Sequence, residues 1–379
     1  MSKIKAIDLF SGCGGVSCGL TNAGFKMTGA VEINKDAVEI YKKYKSLSKV
    51  NVILDDICNV RGADLLKNSN INIDELYLLA GCPPCQNFSS QNRNGRKKSK
   101  GEKEKLLLQY LRIIKEIYPP FVLMENVSGL KNKENLPILN EFLESLRNES
   151  EVDDRKKYFV IYNVLNAADY GVPQKRKRFV LHAIRKDMYN LLVANGYNIS
   201  LPTPSHNQKG ENGLLPWNTV WEAIGDLPPI KAGETYVGEG IFNHKCASLS
   251  DINLERISII RKNGGSRIGL PSNLVLNCHK KYKGHKDVYG IMDPNKPAPT
   301  MTGGCLCYSK GRFGHPYQNR AISIREAARI QTFPDDFIFS DSITKSSLEI
   351  GNAVPVKLVE ASGKSIMKEI KFCKKLLKI

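Results

Sequence analysis

The stretch Ile4-Lys5-Ala6-Ile7-Asp8-Leu9-Phe10-Ser11-Gly12-Cys13-Gly14-Gly15 reads as an apolar strand ending in a glycine-rich turn, and Val16–Ala23 behind it reads as a helix. Glycines at a strand-to-helix turn let a ligand approach the backbone, and the helix start offers unpaired N–H groups to an anion. A tight structural turn would look the same, so the neighbouring strands decide. The next one ends in Val31-Glu32, and Glu32 lies twenty residues after Gly12. That is about the distance at which a carboxylate meets ribose hydroxyls in nucleotide-binding α/β folds. A third strand ends in Asp55-Asp56-Ile57. Three strand ends in register favour a cofactor site. Its occupant stays open, because the Gly-x-Gly-x-x-Gly spacing of dinucleotide sites is missing.

Working outward, strands are expected at Ile4–Phe10, Met27–Val31, Val50–Leu54, Leu76–Ala80, Phe121–Met124, Phe159–Leu165 and Phe179–Ile184, with helices between them at Val16–Ala23, Ala37–Lys45 and Leu106–Ile117. Such alternation predicts an α/β fold with a mostly parallel sheet and helices on both faces. From about Arg185 to Arg320 the chain turns irregular and rich in Gly, Asn, Pro and Lys. Helical character returns at Ile324–Gln331 and in a tail whose Val359, Ile366, Ile370, Cys373 and Leu377 fall near one face. The expected division is 1–184, 185–320 and 321–379, the last packing back on the first.

The 379 residues are 41% hydrophobic and 25% charged, the composition of a soluble globular protein, and no apolar run approaches the ~18 residues of a membrane span. A strand starting at Ile4 leaves no room for an export signal, so a cytoplasmic protein with ten reduced cysteines is expected. A net charge of +18 favours a polyanionic partner, nucleic acid before membrane, although a Lys-rich genome would leave the same mark. The surplus concentrates in Arg256, Arg261, Lys262, Arg267, Lys280, Lys281, Lys283 and Lys286, with no acid between them. A solvated loop normally mixes its signs, so a nucleic-acid surface is expected there.

Reactive groups gather at the same edge of the sheet. Gly81-Cys82-Pro83-Pro84-Cys85-Gln86 follows the fourth strand. Cys82-x-x-Cys85 could be a redox pair or half a zinc site, but Cys305-x-Cys307 is too tight to complete one, so no metal is expected. Cys85, behind two rigid prolines, is well placed for attack. Glu125 ends the strand at Phe121, where it could equally be a helix cap. Gln174-Lys175-Arg176-Lys177-Arg178 would place Gln174, Arg176 and Arg178 on one face of a strand.

With these residues the chain resembles the cytosine-specific, carbon-5 DNA methyltransferases, over nearly its whole length. Asp8–Gly15, Pro84-Cys85-Gln86, Glu125-Asn126-Val127, Gln174–Arg178, Arg325–Phe337 with its Gln331-Thr332-Phe333-Pro334, and Gly351-Asn352-Ala353-Val354-Pro355 stand in the family's order. The resemblance implies a Rossmann-like S-adenosylmethionine-dependent fold with a catalytic domain, a target-recognition domain and a returning C-terminal segment. It implies that Phe10, Ser11, Gly12, Cys13 and Gly15 line the methionine end of the cofactor, and that Glu32 binds its ribose. Asp56 and Ile57 would read adenine, and Pro84, Leu106, Asn352 and Ala353 would close the site. Ile33 stands where the family commonly has an aromatic residue. S-adenosylhomocysteine would be the product.

The chemistry of the residues agrees. Carbon 5 of cytosine is too weak a nucleophile to take a methyl group from a sulfonium. A thiolate adding to carbon 6 moves electron density to carbon 5, and Cys85 is the candidate. Glu125 would hydrogen-bond or protonate ring nitrogen 3. One of Arg176 and Arg178 would orient Glu125, and the other would hold the base carbonyl or a phosphate. The target must leave the stack, as bases acted on by methyltransferases in duplexes do. Arg93–Lys105, with seven basic and two acidic residues, would close on the phosphates. DNA contacts are expected from Gln86, Ser89, Arg96, Lys97, Lys98, Gln174, Arg261, Arg267, Lys280, Lys281 and Lys283.

The expected activity is thus methylation of cytosine in a short duplex sequence by a monomer, as in bacterial restriction-modification systems with a cognate endonuclease acting on the same site. The rivals are the RNA-directed branch of the family, whose late Cys-Phe-Thr is absent here, a catalytically dead DNA-binding protein, and, more distantly, a nicotinamide dehydrogenase.

Overall fold

The computed structural model describes residues 3–84, 100–148, 153–281 and 287–378. Seven strands form one sheet: β1 (Lys5–Leu9), β2 (Lys26–Glu32), β3 (Asn51–Leu54), β4 (Leu76–Gly81), β5 (Phe121–Val127), β6 (Tyr158–Asn166) and β7 (Lys177–Arg185). Their order is β3-β2-β1-β4-β5-β7-β6. The first five in that order run parallel, and β7 pairs antiparallel with both β5 and β6. The expected strands are all present, because a strand covered on both faces reads as a continuous apolar run. The order in which strands are added reverses between β1 and β4, and the carboxyl ends on either side of that point are where open α/β sheets hold ligands.

Helices α1 (Gly15–Asn22), α2 (Lys35–Lys43), α3 (Gly62–Asn68), α4 (Lys100–Ile117), α5 (Leu136–Arg147) and α6 (Lys186–Ala194) follow the strands. One face of the sheet buries Ile7, Leu9, Leu79, Val122, Met124, Phe179 and Leu181 against Leu107, Tyr110 and Ile114 of α4 and Phe142 of α5. On the other face α1 packs against a C-terminal helix, Val356–Leu377. Gly19 permits that approach, since a Cβ there would come within 2.6 Å of Val356 O and of the Val359 side chain. Val359, Ile366, Ile370 and Cys373 of this helix are buried, whereas Leu377, read as part of the same face, is 44% exposed where the last turn runs beyond its neighbours.

The chain divides into two compact units. The first holds 1–166, 177–204 and 356–379, and the second holds 167–176 and 205–355. These bounds differ from 1–184, 185–320 and 321–379 in three places, the first being that 185–204, with α6, stay with the first unit. Residues 167–176 leave the sheet for the second unit, and 321–355 stay with the second unit through α10 (Ile324–Ile330) and α11 (Ile343–Asn352). Around these lie α7 (Val220–Ile224), α8 (Asp251–Lys262) and α9 (Asn277–Lys281), joined by long irregular segments.

Candidate functional site

At the end of β1 the backbone turns through left-handed conformations at Phe10 (φ 59°), Gly12 (φ 53°) and Gly14 (φ 103°). A bulky residue held there costs roughly 1–3 kcal/mol and usually persists for a functional reason. A Cβ on Gly14 would meet Leu47 and Tyr41 at 2.9 Å, whereas one on Gly12 would meet nothing within 4 Å. The loop is therefore packed beneath and open above. Ser11 and Cys13 are buried under it, and Gly15 starts α1.

Glu32 organises this edge. Its carboxylate accepts from Gly12 N and from Asn34 N, both at 2.8 Å, tying the turn to the end of β2. The adjoining Ile33 is 65% exposed, an apolar surface in want of cover. Asp56 accepts from Cys58 N at 2.9 Å and caps the turn at Ile57, which is buried. Arg112 of α4 pins that turn by donating to the carbonyls of Ile57 and Val60 at 2.8 Å. Leu106 packs on the central core and Pro84 is exposed. An acceptor pair, an exposed apolar residue and an open glycine loop suit a nucleoside with a charged tail, so this donor set fits S-adenosylmethionine. Asn352 and Ala353 lie in the second unit, at the end of α11.

Asp8, one residue before the turn's own Leu9-Phe10, is fully buried and was not singled out by sequence. Its Oδ2 accepts from Ser17 Oγ at 2.7 Å, and Tyr41 donates to Ser17 Oγ at 2.9 Å. Burial raises its carboxyl pKa to about 7, with the Glu32 charge adding to the rise against the Ser17 hydrogen bond.

Glu125 lies two residues before the end of β5 and is nearly buried. Arg178 of β7 pairs with it, Nε to Oε1 at 2.8 Å, both side chains being about nine-tenths covered. Burial lowers the Arg178 pKa, partly offset by Glu125. Asn126 Nδ2 donates to Pro83 O at 3.1 Å, clamping the chain that leaves β4. Cys82, on that same segment, lies against Glu125. Burial first, then the Glu125 and Asp8 charges, push its thiol well above the ordinary range. Cys85, Gln86, Ser89, Arg96, Lys97 and Lys98 fall outside the described residues, as does Lys283, and so does the Lys281 side chain.

The Gln174–Arg178 run departs from the expected strand. β7 begins only at Lys177, and Gln174 instead forms a bridge with Ala298 of the second unit. Arg176 and Arg178 thus do not share a strand face. Arg176 is 1% exposed and donates to the carbonyls of Met301, Gly351 (2.9 Å) and Ala353 (3.0 Å). Gln174, expected on DNA, is fully buried, donating to Gln331 Oε1 at 2.8 Å and accepting from Met301 N at 2.8 Å.

Nor is Arg256–Lys286 one solvated stripe. Arg256 is buried, donating to Leu274 O and Asn253 Oδ1, both at 2.9 Å. Arg261, expected on DNA, spends its guanidinium on Asn319 Oδ1 (3.0 Å) and the carbonyls of His315, Pro316 and Gln318. Arg267 is half-buried and lines a cavity of about 300 Å³ with Arg256, His279 and Tyr289. Lys262 and Lys280 are exposed. Internal carbonyls claim Arg256 and Arg261, while Lys262 and Lys280 face water.

Residues 4–368 match the family model of the C-5 cytosine-specific DNA methylases. The chain is 34% identical over 366 residues to the Type II methylase M.HgiDII of Herpetosiphon aurantiacus, covering 95% of this chain and 94% of that one. It is also 34% identical to the Type II methyltransferase M1.HphI of Haemophilus parahaemolyticus, covering 97% and 87%. Among solved structures it resembles a DNA modification methyltransferase encoded within an E. coli prophage, with TM-score 0.68, 25% identity, and coverage of 97% of this chain and all of the other. The S. pombe Dnmt2 methyltransferase shares the fold at TM-score 0.58 and 17% identity, over the full length of both.

Proposed function

The chain belongs to the C-5 cytosine-specific DNA methylases, and from that premise we propose that its residues divide the work as follows. The activity is transfer of a methyl group to carbon 5 of cytosine in DNA. The donor in this family is S-adenosylmethionine, which supplies an electrophilic sulfonium methyl. The turn Phe10–Gly15 would cradle its methionine end, Glu32 its ribose, Asp56 and Ile57 its adenine, with Ile33 giving an apolar edge in place of an aromatic face. Pro84, Leu106, Asn352 and Ala353 would complete the enclosure.

Cys85 Sγ, as thiolate, would add to carbon 6 of the target cytosine. Glu125 would hold ring nitrogen 3, lending it a proton as electron density moves toward carbon 5. After methylation a base removes the carbon-5 proton, the ring electrons return, and Cys85 leaves. The observation supporting these roles is the Glu125–Arg178 pair at the strand-end edge. It favours Arg178 as the residue that orients Glu125. Arg176, occupied by three carbonyls, is then a scaffold residue that braces the segment ending at Ala353.

DNA contacts would come from Gln86, Ser89, Arg96, Lys97 and Lys98 after the nucleophile, and from Arg267, Lys280, Lys281 and Lys283 in the second unit. By likeness to Type II methylases, the enzyme would protect one short duplex sequence against a cognate endonuclease, acting as a monomer in the cytoplasm. Incubating the purified protein with unmodified DNA and S-adenosylmethionine, then mapping 5-methylcytosine by bisulfite sequencing, tests this. One recurring motif is expected. Random modification would refute site-specific protection.

A further inference from the structure

We propose that Cys82 is a positioning residue for the Glu125 carboxyl, a second hold on it from β4 that complements the hold of Arg178 from β7. Sequence reading treats Cys82 only as half of a Cys-x-x-Cys pair, yet its place in the sheet gives it another task.

The register makes this neighbour unavoidable. Gly81 pairs with Met124 across the parallel β4–β5 ladder, so the residues that follow, Cys82 and Glu125, emerge side by side. Both are fixed by backbone. Cys82 N donates to Leu9 O at 3.3 Å, and Pro83 O accepts from Asn126 Nδ2 at 3.1 Å. Paired residues on adjacent strands point to one face, so the register sets the Cys82 thiol beside the Glu125 side chain, whose charge acts on it. Arg178 Nε meets Oε1 of the same carboxyl at 2.8 Å. A glutamate carboxyl sits beyond three rotatable bonds, and two contacts from opposite neighbours fix its plane better than one.

Sulfur is suited to this place. The charges around the thiol are those of Glu125, itself paired with Arg178 from β7, and of Asp8 from β1. A lysine or second acid would add a charge to that cluster, whereas a thiol held far above its ordinary pKa stays neutral and can only donate weakly. A weak donor steadies the carboxyl without locking it as the anion, leaving Glu125 able to give a proton to a base.

This inference rests on the catalytic role proposed for Glu125, and the test separates the two. Cys82→Ala and Cys82→Ser are compared with the parent and with Glu125→Gln in steady-state methylation across pH, with S-adenosylmethionine binding by calorimetry as the control for folding. Cys82→Ala is expected to bind cofactor within about twofold of the parent and to lower kcat about three- to tenfold, with KM for DNA little changed. Losing a donor to the carboxylate raises the Glu125 pKa, so the basic limb of the kcat profile should move to higher pH by about half a unit. Cys82→Ser, which keeps a donor, should recover most of both. A Cys82→Ala enzyme with parental kcat and an unmoved limb overturns the proposal while Glu125→Gln remains inactive. An active Glu125→Gln enzyme overturns the underlying role instead. If Cys82→Ala fails to bind cofactor, Cys82→Ser decides alone: parental activity with a limb in place supports the donor, and a loss of activity as deep as for Glu125→Gln contradicts it.

Discussion

Apart from the Glu125–Arg178 pair of the first unit, the two units bury charge differently. In the second, Arg176, Arg320 and Arg325 lie at 1% exposure or less, each with its guanidinium spread over partners of the same unit. Arg325 donates to the carbonyls of Phe242, Pro334 and Phe337 at 2.7–3.0 Å. Arg320 forks onto Glu326 at 2.6 and 2.7 Å and reaches Ile230 O and Ala321 O. In the first unit, Asp8 and Glu369 are buried acids with no cation beside them among the described residues, and burial lifts their pKa values to about 7 and about 8. The reason lies in the backbone. A seven-stranded sheet satisfies its own carbonyls, whereas long irregular segments leave carbonyls that need donors, and arginine carries five in a planar fork. Part of the +18 is therefore internal scaffolding, and positive charge along a sequence does not by itself trace a binding face.

The largest effect that bears on this contrast is catalytic and belongs to the sheet edge. Glu125→Gln should lower kcat by about 10²- to 10⁴-fold while leaving the unfolding midpoint near the parent's, measured by methyl transfer and thermal melts. A buried scaffold arginine should do the reverse. Arg325→Met strands three carbonyls, so urea unfolding should show a loss of about 3 kcal/mol or more. A variant as stable as the parent would break the scaffold reading.

Buried acids give a sign test. The folded pKa of Glu369, about 8, lies above its ordinary 4.5, so the folded state favours the proton. Its contribution is fully present below pH 4.5 and drains away as pH rises through 8. Glu369→Gln should therefore flatten the stability decline between pH 5 and 8, a gain of about 1–4 kcal/mol at pH 8 in urea titrations. Glu326 is the counterpart: Arg320 holds its pKa low against the cost of burial, so its contribution is kept at neutral pH and lost on acidification. The smallest effect concerns DNA. If about six phosphates are neutralised, log affinity falls with log salt at a slope near −5, and Lys280→Ala should make it shallower by about one. Arg261→Ala should leave the slope alone and lower stability instead, because its donors face inward.

The contrast also explains what sequence could reveal. Strands β1–β7 were legible because each is an apolar run, and Glu32, Asp56 and Glu125 because strand ends on one edge must be neighbours. Arg176 and Arg178 could not be told apart, since alternation assumes a continuous strand and β7 starts between them, at Lys177. The inward turn of Gln174, Arg256 and Arg261 was invisible for a related reason: each has a partner 18 to 157 residues away, which no local pattern encodes. Cys82 was hidden by its own motif.

The role of Cys85 as nucleophile is tested most directly with duplex DNA carrying 5-fluorocytosine at the methylated position, incubated with the enzyme and S-adenosylmethionine. Fluorine blocks the final elimination, so a covalent enzyme–DNA complex should form and peptide mass spectrometry should locate the bond at residue 85. Methylated product without a complex, or a complex joined through any other residue, would contradict it.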